Sequence, residues 1–348
     1  MNRSEPGNAS RGGPGTLREI AGRLGLSVST VSRALSGHPA ISVRTRESVI
    51  AAATLVGYRF PTQSRGRVGG TRLVGVVVGA LQNTFMTLLL QHLHDALQGA
   101  GYQVVLLIDP MTEPEPLLAL RPLIDSYLDG LIFATATLDS PIVAEVRRRG
   151  IPTVLVVRSV DDVDVDIVEV DNFRAGQEAV HHLLDLGHRR LGFLMGPQNT
   201  STSRDRMAGA LQALREARLE PEPAHVAWGE YTSEMGYSRA MGLLAAPQPV
   251  TAIVAGNDTI ALGVLEAARR CGRKVPDELS VIGFDDMPLA GSPIVGLTSI
   301  RQPVEAMART AARRLLDRMR PGHAISPPAH DVLPIELIRR GTTGAASR

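Results

Sequence analysis

The sequence predicts an α/β protein built as a small helical head followed by a larger core of two similar lobes. Three observations predict it. From residue 73 onward, short and nearly all-apolar runs alternate with helical patterns, in two successive sets. Before that, residues 16–58 carry three short helical patterns, the first two joined at a glycine. Charge divides the same way. Residues 1–72 hold 11 arginines, no lysine and three glutamates, whereas the remainder holds 26 basic and 32 acidic residues. A basic module on an acidic body is the electrostatic footprint of nucleic-acid binding.

At 348 residues the chain is long enough for two or three domains. Apolar residues make up 44% and aromatics only 3%, so the core must be aliphatic. No run of 18 apolar residues exists, and no membrane partner is expected. Residues 1–15, MNRSEPGNASRGGPG, are polar and lack an apolar segment, so they read as a disordered arm and not as a signal peptide. A single cysteine, Cys271, fits a reducing cytoplasm and reads as a buried or half-buried structural thiol.

The head is taken as residues 16–60. Leu17, Ile20, Ala21 and Leu24 share one helical face. Gly25 stops that helix, because glycine adopts backbone angles other residues avoid. Ser27 is an N-cap for a second helix, Val28 to Leu35, with Val31 and Leu35 facing inward. Ser42 caps a third, from about Val43 to Val56, closed by Gly57. Two short helices about a tight glycine turn form a helix-turn-helix, whose second helix enters the DNA major groove. On it, Arg33 has the chemistry to read guanine, Ser29 to bond several bases and Val28 to touch a thymine methyl. Thr30 and Ser32 are placed to reach phosphates or bases.

Residues 61–72 form a basic, glycine-rich linker with Pro61, Gly66, Gly69 and Gly70. The core, residues 73–340, opens with strands at 73–79, 102–108, 130–134 and 152–157. A second set follows at 190–195, 225–228, 251–255 and 279–284. Met86, Leu89, Leu90, Leu93 and Leu97 mark one face of the first intervening helix. Two such sets make two Rossmann-like lobes with a cleft between them, and ligands bind open α/β sheets at the carboxyl ends of the strands.

No enzyme is expected. The first strand is not followed by Gly-x-Gly-x-x-Gly, and neither a Walker loop nor Gly-x-Ser-x-Gly occurs. His181, His182 and His188 lack metal-ligand spacing, so no metal and no cofactor are expected.

The run from Leu17 through Ile20-Ala21, Leu24-Gly25-Leu26-Ser27, Ser29-Thr30-Val31-Ser32-Arg33-Ala34-Leu35-Ser36-Gly37 strongly resembles the head of the LacI/GalR family of bacterial transcriptional regulators. Ser42, Thr45-Arg46 and Gly57-Tyr58 continue the match, and the resemblance runs to about Gly344. It implies a repressor with a periplasmic-binding-protein-like core, working as a homodimer on operator DNA in the cytoplasm, at the nucleoid when bound. Its operator affinity would be set by a small molecule between the lobes. A sugar or sugar derivative is the first expectation and a nucleobase or nucleoside the second. A ligand-binding or enzymatic α/β protein is the alternative from another class.

The resemblance also supplies site residues. In the head and linker the DNA contacts would be Thr16, Ser27, Val28, Ser29, Thr30, Ser32, Arg33, Ser36, Tyr58, Arg65, Arg67 and Val68. The linker departs from the family pattern: its proline sits one residue late, and the leucine that wedges into the minor groove is missing. Val68 takes that place if one residue is inserted, and Arg67 otherwise. In the core the effector contacts would be Asn83, Phe85, Arg158, Asp171, Arg206, Tyr231, Asn257 and Asp285. Asp258 and Asp286 read as helix and turn caps instead. Arg206, mid-helix with no obvious partner, reads as a ligand contact. The chain would cross between lobes near Asp171, Ser292 and Ala329. This gives a first lobe of about 73–171 and 293–328, and a second of about 172–292 and 329–340.

Overall fold

The structure is a computed structural model, and it describes residues 16–35, 41–56, 70–79, 81, 83–109, 124, 127–320 and 327–347. The expected arm (1–15), the candidates Ser36, Tyr58, Arg65, Arg67 and Val68, and most of the linker lie outside the described residues. The chain divides into two compact units, residues 1–66 and 67–348.

In the head, α1 (Leu17–Leu24), α2 (Val28–Leu35) and α3 (Val43–Leu55) form as the pattern predicts. Thr16 caps α1 by accepting from the Glu19 N–H at 3.3 Å. Gly25 ends that helix at φ +63°, a left-handed conformation that favours glycine. Ser27 caps α2 by accepting from the Thr30 N–H at 3.0 Å, and Ser42 does the same for Thr45 at 3.1 Å. Ile20, Ala21, Val31, Ala34, Val49, Ala52 and Ala53 form the buried core of this unit.

In the larger unit the described strands form two six-stranded sheets. The first has the order β11-β5-β4-β3-β1-β2 and is parallel throughout. Its strands are β1 (Leu73–Val78), β2 (Gln103–Ile108), β3 (Gly130–Phe133), β4 (Thr153–Val156), β5 (Asp166–Val170) and β11 (His330–Leu333). The second has the order β12-β10-β9-β8-β6-β7. It comprises β6 (Leu191–Met195), β7 (Val226–Trp228), β8 (Ala252–Ala255), β9 (Ser280–Asp285), β10 (Thr298–Arg301) and β12 (Glu336–Ile338), with only the β10–β12 pairing antiparallel. The central strands are buried on both faces, which is why they read as unbroken apolar runs.

Helices cover both sheets. In the first lobe these are α4 (Thr84–Gly99), α5 (Pro141–Arg148) and α10 (Val304–Met319). In the second they are α6 (Asn172–Asp185), α7 (Ser201–Glu216), α8 (Ser233–Leu244) and α9 (Asp258–Arg270). Leu89, on the apolar face of α4, is fully buried in the core.

The first passage between the sheets falls at Asp171, between β5 and α6. The other two fall later than the sequence indicated. Thr298–Arg301 still pairs with β9, so the chain leaves the second lobe at Gln302–Pro303, not near Ser292. His330–Leu333 pairs with β5 in the first sheet, so the return comes at Pro334, not near Ala329. The second lobe also extends past residue 340: the Val281 N–H donates to the Thr342 carbonyl at 2.7 Å, and the Ala346 N–H to the Leu186 carbonyl at 2.8 Å. Cys271 is exposed, not buried, at the end of α9 with its Sγ 3.5 Å from the Met241 Sδ. Among the described residues no helix is long and apolar enough to cross a membrane.

Candidate functional site

On α2 the inward face is Val31 and Ala34, which leaves the opposite face open. Val28 is 41% exposed despite being apolar, and Ser29, Ser32 and Arg33 are exposed beside it. Thr30 is half-buried. Ser27 and Thr16 spend their side chains on helix caps, and the Ser27 hydroxyl also lies 2.8 Å from those of Ser29 and Thr30. The exposed face of the helix is therefore Val28, Ser29, Ser32 and Arg33.

In the larger unit a cavity opens to solvent where the carboxyl ends of both sheets meet. The first lobe contributes Asn83, Phe85 and Met86 from the turn after β1 and the start of α4, and Val157 and Arg158 after β4. The second contributes Thr202 and Arg206 from α7, Tyr231 after β7, Asn257 after β8, Asp285 at the end of β9, and Gln302 after β10. Seven of the eight expected effector contacts meet here.

Asp171 does not. It is exposed and caps α6, its Oδ1 accepting from the Arg174 N–H at 2.8 Å. Its neighbour Asn172 is buried and turns inward, accepting from Arg206 Nε at 2.9 Å. Arg206 is thus not short of partners. Its Nη1 also donates to the Gly256 carbonyl at 2.6 Å, its Nη2 lies 3.8 Å from Asp285 Oδ1, and its guanidinium carbon sits 4.6 Å from the centre of the Phe284 ring. It lines the cavity as a group fixed from behind.

Asp285 accepts from Gln302 Nε2 at 2.6 Å. Burial pushes its carboxyl up to about 6, against the opposing pull of the Arg206 guanidinium and the Gln302 amide. Its backbone sits at φ +105°, and Val157 on the facing wall sits at φ +74°. Such conformations are costly for a β-branched or acidic residue and concentrate at ligand sites. Burial is also the first cause lowering the Arg158 guanidinium, which donates to the Thr135 carbonyl at 3.3 Å.

Asn257 and Gln302 each leave one polar atom in the cavity wall without a hydrogen-bond partner among the described residues. Asn257 caps α9 by accepting from the Ile260 N–H at 2.9 Å, which leaves its buried Nδ2 unused. Gln302 donates to Asp285, which leaves its buried Oε1 unused. One is a donor and the other an acceptor, and buried groups of this kind are normally paired. Asn83 is a cap as well, accepting from the Phe85 N–H at 3.1 Å.

Asp258 and Asp286 are held within the lobe, but not as the expected caps, since Asn257 is the N-cap of α9. Asp258 accepts from the Met287 N–H at 2.7 Å and the Ser299 hydroxyl at 2.6 Å, and Asp286 pairs with Arg301 and Arg340. Burial, with the Asp285 charge second, raises the Asp258 carboxyl well above its usual range. Of the residues lining the cavity, sequence reasoning missed Thr202, Gln302, Met86 and Val157. Thr202 lies four residues before Arg206 and so shares its helix face, a signal that was available. Gln302 follows β10, a strand the sequence did not reveal. Among the described residues no cluster of three or more histidine, cysteine or acidic side chains is placed to hold a metal.

A helix-turn-helix head joined to a two-lobed core of periplasmic-binding-protein type defines a DNA-binding transcriptional regulator. Comparison with known proteins gives the family. Residues 16–60 match the model for bacterial regulatory proteins of the lacI family, and residues 180–343 match a periplasmic binding protein-like domain. The HTH-type transcriptional regulator reg1 of Streptomyces lividans is 35% identical over 344 residues, spanning 95% of this chain and 97% of that protein. MalR of Streptomyces coelicolor, also an HTH-type transcriptional regulator, is 34% identical over 342 residues with the same coverage. The solved complex of the transcriptional regulator CelR with cellobiose matches with a TM-score of 0.71 at 30% identity, covering 94% of this chain and 99% of that one. The chain belongs to the LacI family, whose members regulate transcription and are not enzymes.

Proposed function

We propose that this protein is a repressor whose hold on operator DNA is set by a sugar or sugar derivative bound in the cavity between its lobes. The observation that carries the reading is the wall at Asn257, Asp285 and Gln302. It offers an unused donor, a carboxylate and an unused acceptor within one small cavity. Adjacent hydroxyls of a sugar satisfy such a set, since each hydroxyl both donates and accepts. Phe85 and Tyr231 supply apolar faces for a sugar ring. The cellobiose bound by CelR supports the same class.

In the head, Val28, Ser29, Ser32 and Arg33 would read base edges, with Thr16, Ser27 and Thr30 near the backbone. Ser36, Tyr58, Arg65, Arg67 and Val68 complete the proposed DNA contacts. One head makes few contacts, so two copies on paired half-sites are needed for specificity. Leu289 and Ile294 are exposed apolar side chains on one connection of the second lobe, surface of the kind a second copy covers. The protein would act in the cytoplasm, at the nucleoid when bound. The effector acts by favouring one arrangement of the lobes over another.

Two measurements test this. Thermal unfolding with a panel of sugars, nucleosides and their phosphates should single out one sugar class. A ligand at 100 times its dissociation constant raises stability by about 2.7 kcal/mol. Arg33→Ala should weaken operator binding by about 1–3 kcal/mol and relax specificity at one base position. A uniform loss across sequences would make Arg33 a phosphate contact. Stabilisation by nucleosides alone would replace the sugar reading.

A further inference from the structure

We propose that Gly196 sets the size of effector the cavity accepts, by letting the Tyr231 ring lie flat against the main chain. This rests on the cavity being the effector site. Gly196 directly follows β6, beside the main chain of Gly256 at the end of β8. A Cβ on Gly196 would overlap the Cζ, Cε1 and Cε2 atoms of Tyr231. The ring therefore occupies the space that any other residue at 196 would fill.

The hydroxyl end is fastened separately. It lies 2.7 Å from the Ser203 hydroxyl and 3.1 Å from that of Thr202, both in the first turn of α7. Across the cavity, the Arg158 guanidinium carbon of the first lobe lies 5.9 Å from the ring centre, within cation–π range. The ring is thus seated on the main chain, tied at its tip by two hydroxyls, and faced by the opposite lobe. It forms a fixed wall of the cavity. Because Tyr231 bounds the cavity on this side, a larger effector would need Tyr231 to move. Placing a methyl group at position 196 would push the phenol off its seat, away from Ser203 and Thr202 and into the volume the effector needs.

The test is a cycle of four proteins: the full chain, Gly196→Ala, Tyr231→Ala and the double variant. The first arm needs no ligand. Gly196→Ala should lower the melting temperature on the order of 5 °C, the scale of an overpacked site. The same change in the Tyr231→Ala background should cost almost nothing, because nothing remains to collide with. If Gly196→Ala fails to fold alone, its recovery in the double variant gives the same result. Equal losses in both backgrounds, or failure to fold in both, would overturn the seating.

The second arm measures binding of D-ribose, D-glucose and cellobiose by calorimetry. The full chain should prefer a single-ring sugar. Gly196→Ala should weaken every sugar by about tenfold or more. Tyr231→Ala should shift the preference toward cellobiose by about tenfold, and the double variant should match it. An unchanged size order in Tyr231→Ala would overturn the size limit even if the melting cycle holds. If none of the three sugars binds the full chain, the sugar reading and the size limit fall together. The melting cycle still decides separately whether Gly196 seats Tyr231.

Discussion

The two walls of the cavity are built differently. On the second lobe, Arg206 is held by Asn172, the Gly256 carbonyl and Asp285, Asp285 by Gln302, and Tyr231 by Ser203 and Thr202. On the first lobe, Phe85, Met86 and Val157 are apolar, Asn83 is committed to a helix cap, and Arg158 is the charged group. The second lobe is therefore a rigid polar surface in place before any ligand arrives. The first is an apolar cover with one cation. The lobes already touch beside the cavity, where the Leu138 N–H donates to the Asn199 carbonyl and the Ser159 N–H to the Ser201 hydroxyl, both at 2.9 Å. Preorganised polar groups confer specificity with little ordering cost, whereas apolar cover confers affinity once it closes.

The largest predicted effect comes from breaking the polar wall. Arg206→Ala leaves Asp285 buried without its guanidinium and should cost about 3–5 kcal/mol of stability at pH 7. Chemical denaturation checks it. The loss should shrink at pH 5, where Asp285 takes up a proton and no longer needs a cation. A loss independent of pH would mean that the Arg206–Asp285 pairing does not matter. This differs from the simple expectation that removing Arg206 affects ligand binding alone, because the structure shows it bonded within its own lobe.

Next comes the titration of Asp285. Its folded value of about 6 lies above the ordinary 3.8, so the folded chain binds the proton more tightly than the unfolded chain. Its contribution to stability is therefore fully present below about pH 4 and is lost as pH rises through about 6. Each unit of that gap corresponds to about 1.4 kcal/mol. Asp285→Asn should flatten this part of the stability profile. If the effector bonds to the ionised carboxylate, its affinity should instead fall as pH drops below 6. The two slopes have opposite signs, so unfolding and ligand titrations over pH 4–8 separate them.

The smallest effect is expected on the first lobe. Asn83→Ala removes the cap on α4 and should cost about 1 kcal/mol of stability. It should weaken the effector no further than loosening Phe85 allows. An effector loss as large as that of a second-lobe substitution would erase the contrast between the walls.

How much of this could be read from the sequence follows the same division of forces. The central strands were legible because burial on both faces makes them continuous apolar runs, as in Gly130–Phe133 and Ala252–Ala255. The last three strands, TSIR, HDVL and ELI, are short and mixed, so they read as connections. That hid two crossings and with them Gln302. In the head, helix caps and spacing placed all three helices, because local chemistry determines them. In the cavity, the family resemblance picked out seven of the lining residues, but pattern alone could not separate Asp171 from Asn172. Adjacent residues at a helix start point in different directions, and only the tertiary position of Arg206 decides which one faces it.

The most direct test of the account is to titrate the sugar that stabilises the full chain while measuring operator affinity, in the full chain and in Asn257→Ala. The account predicts a saturable change in operator affinity of roughly 5- to 150-fold in the full chain. In Asn257→Ala, operator binding without sugar should persist and the sugar response should shift to higher concentration. A sugar that binds the cavity and leaves operator affinity unchanged, or a response untouched by the Asn257 substitution, would contradict it.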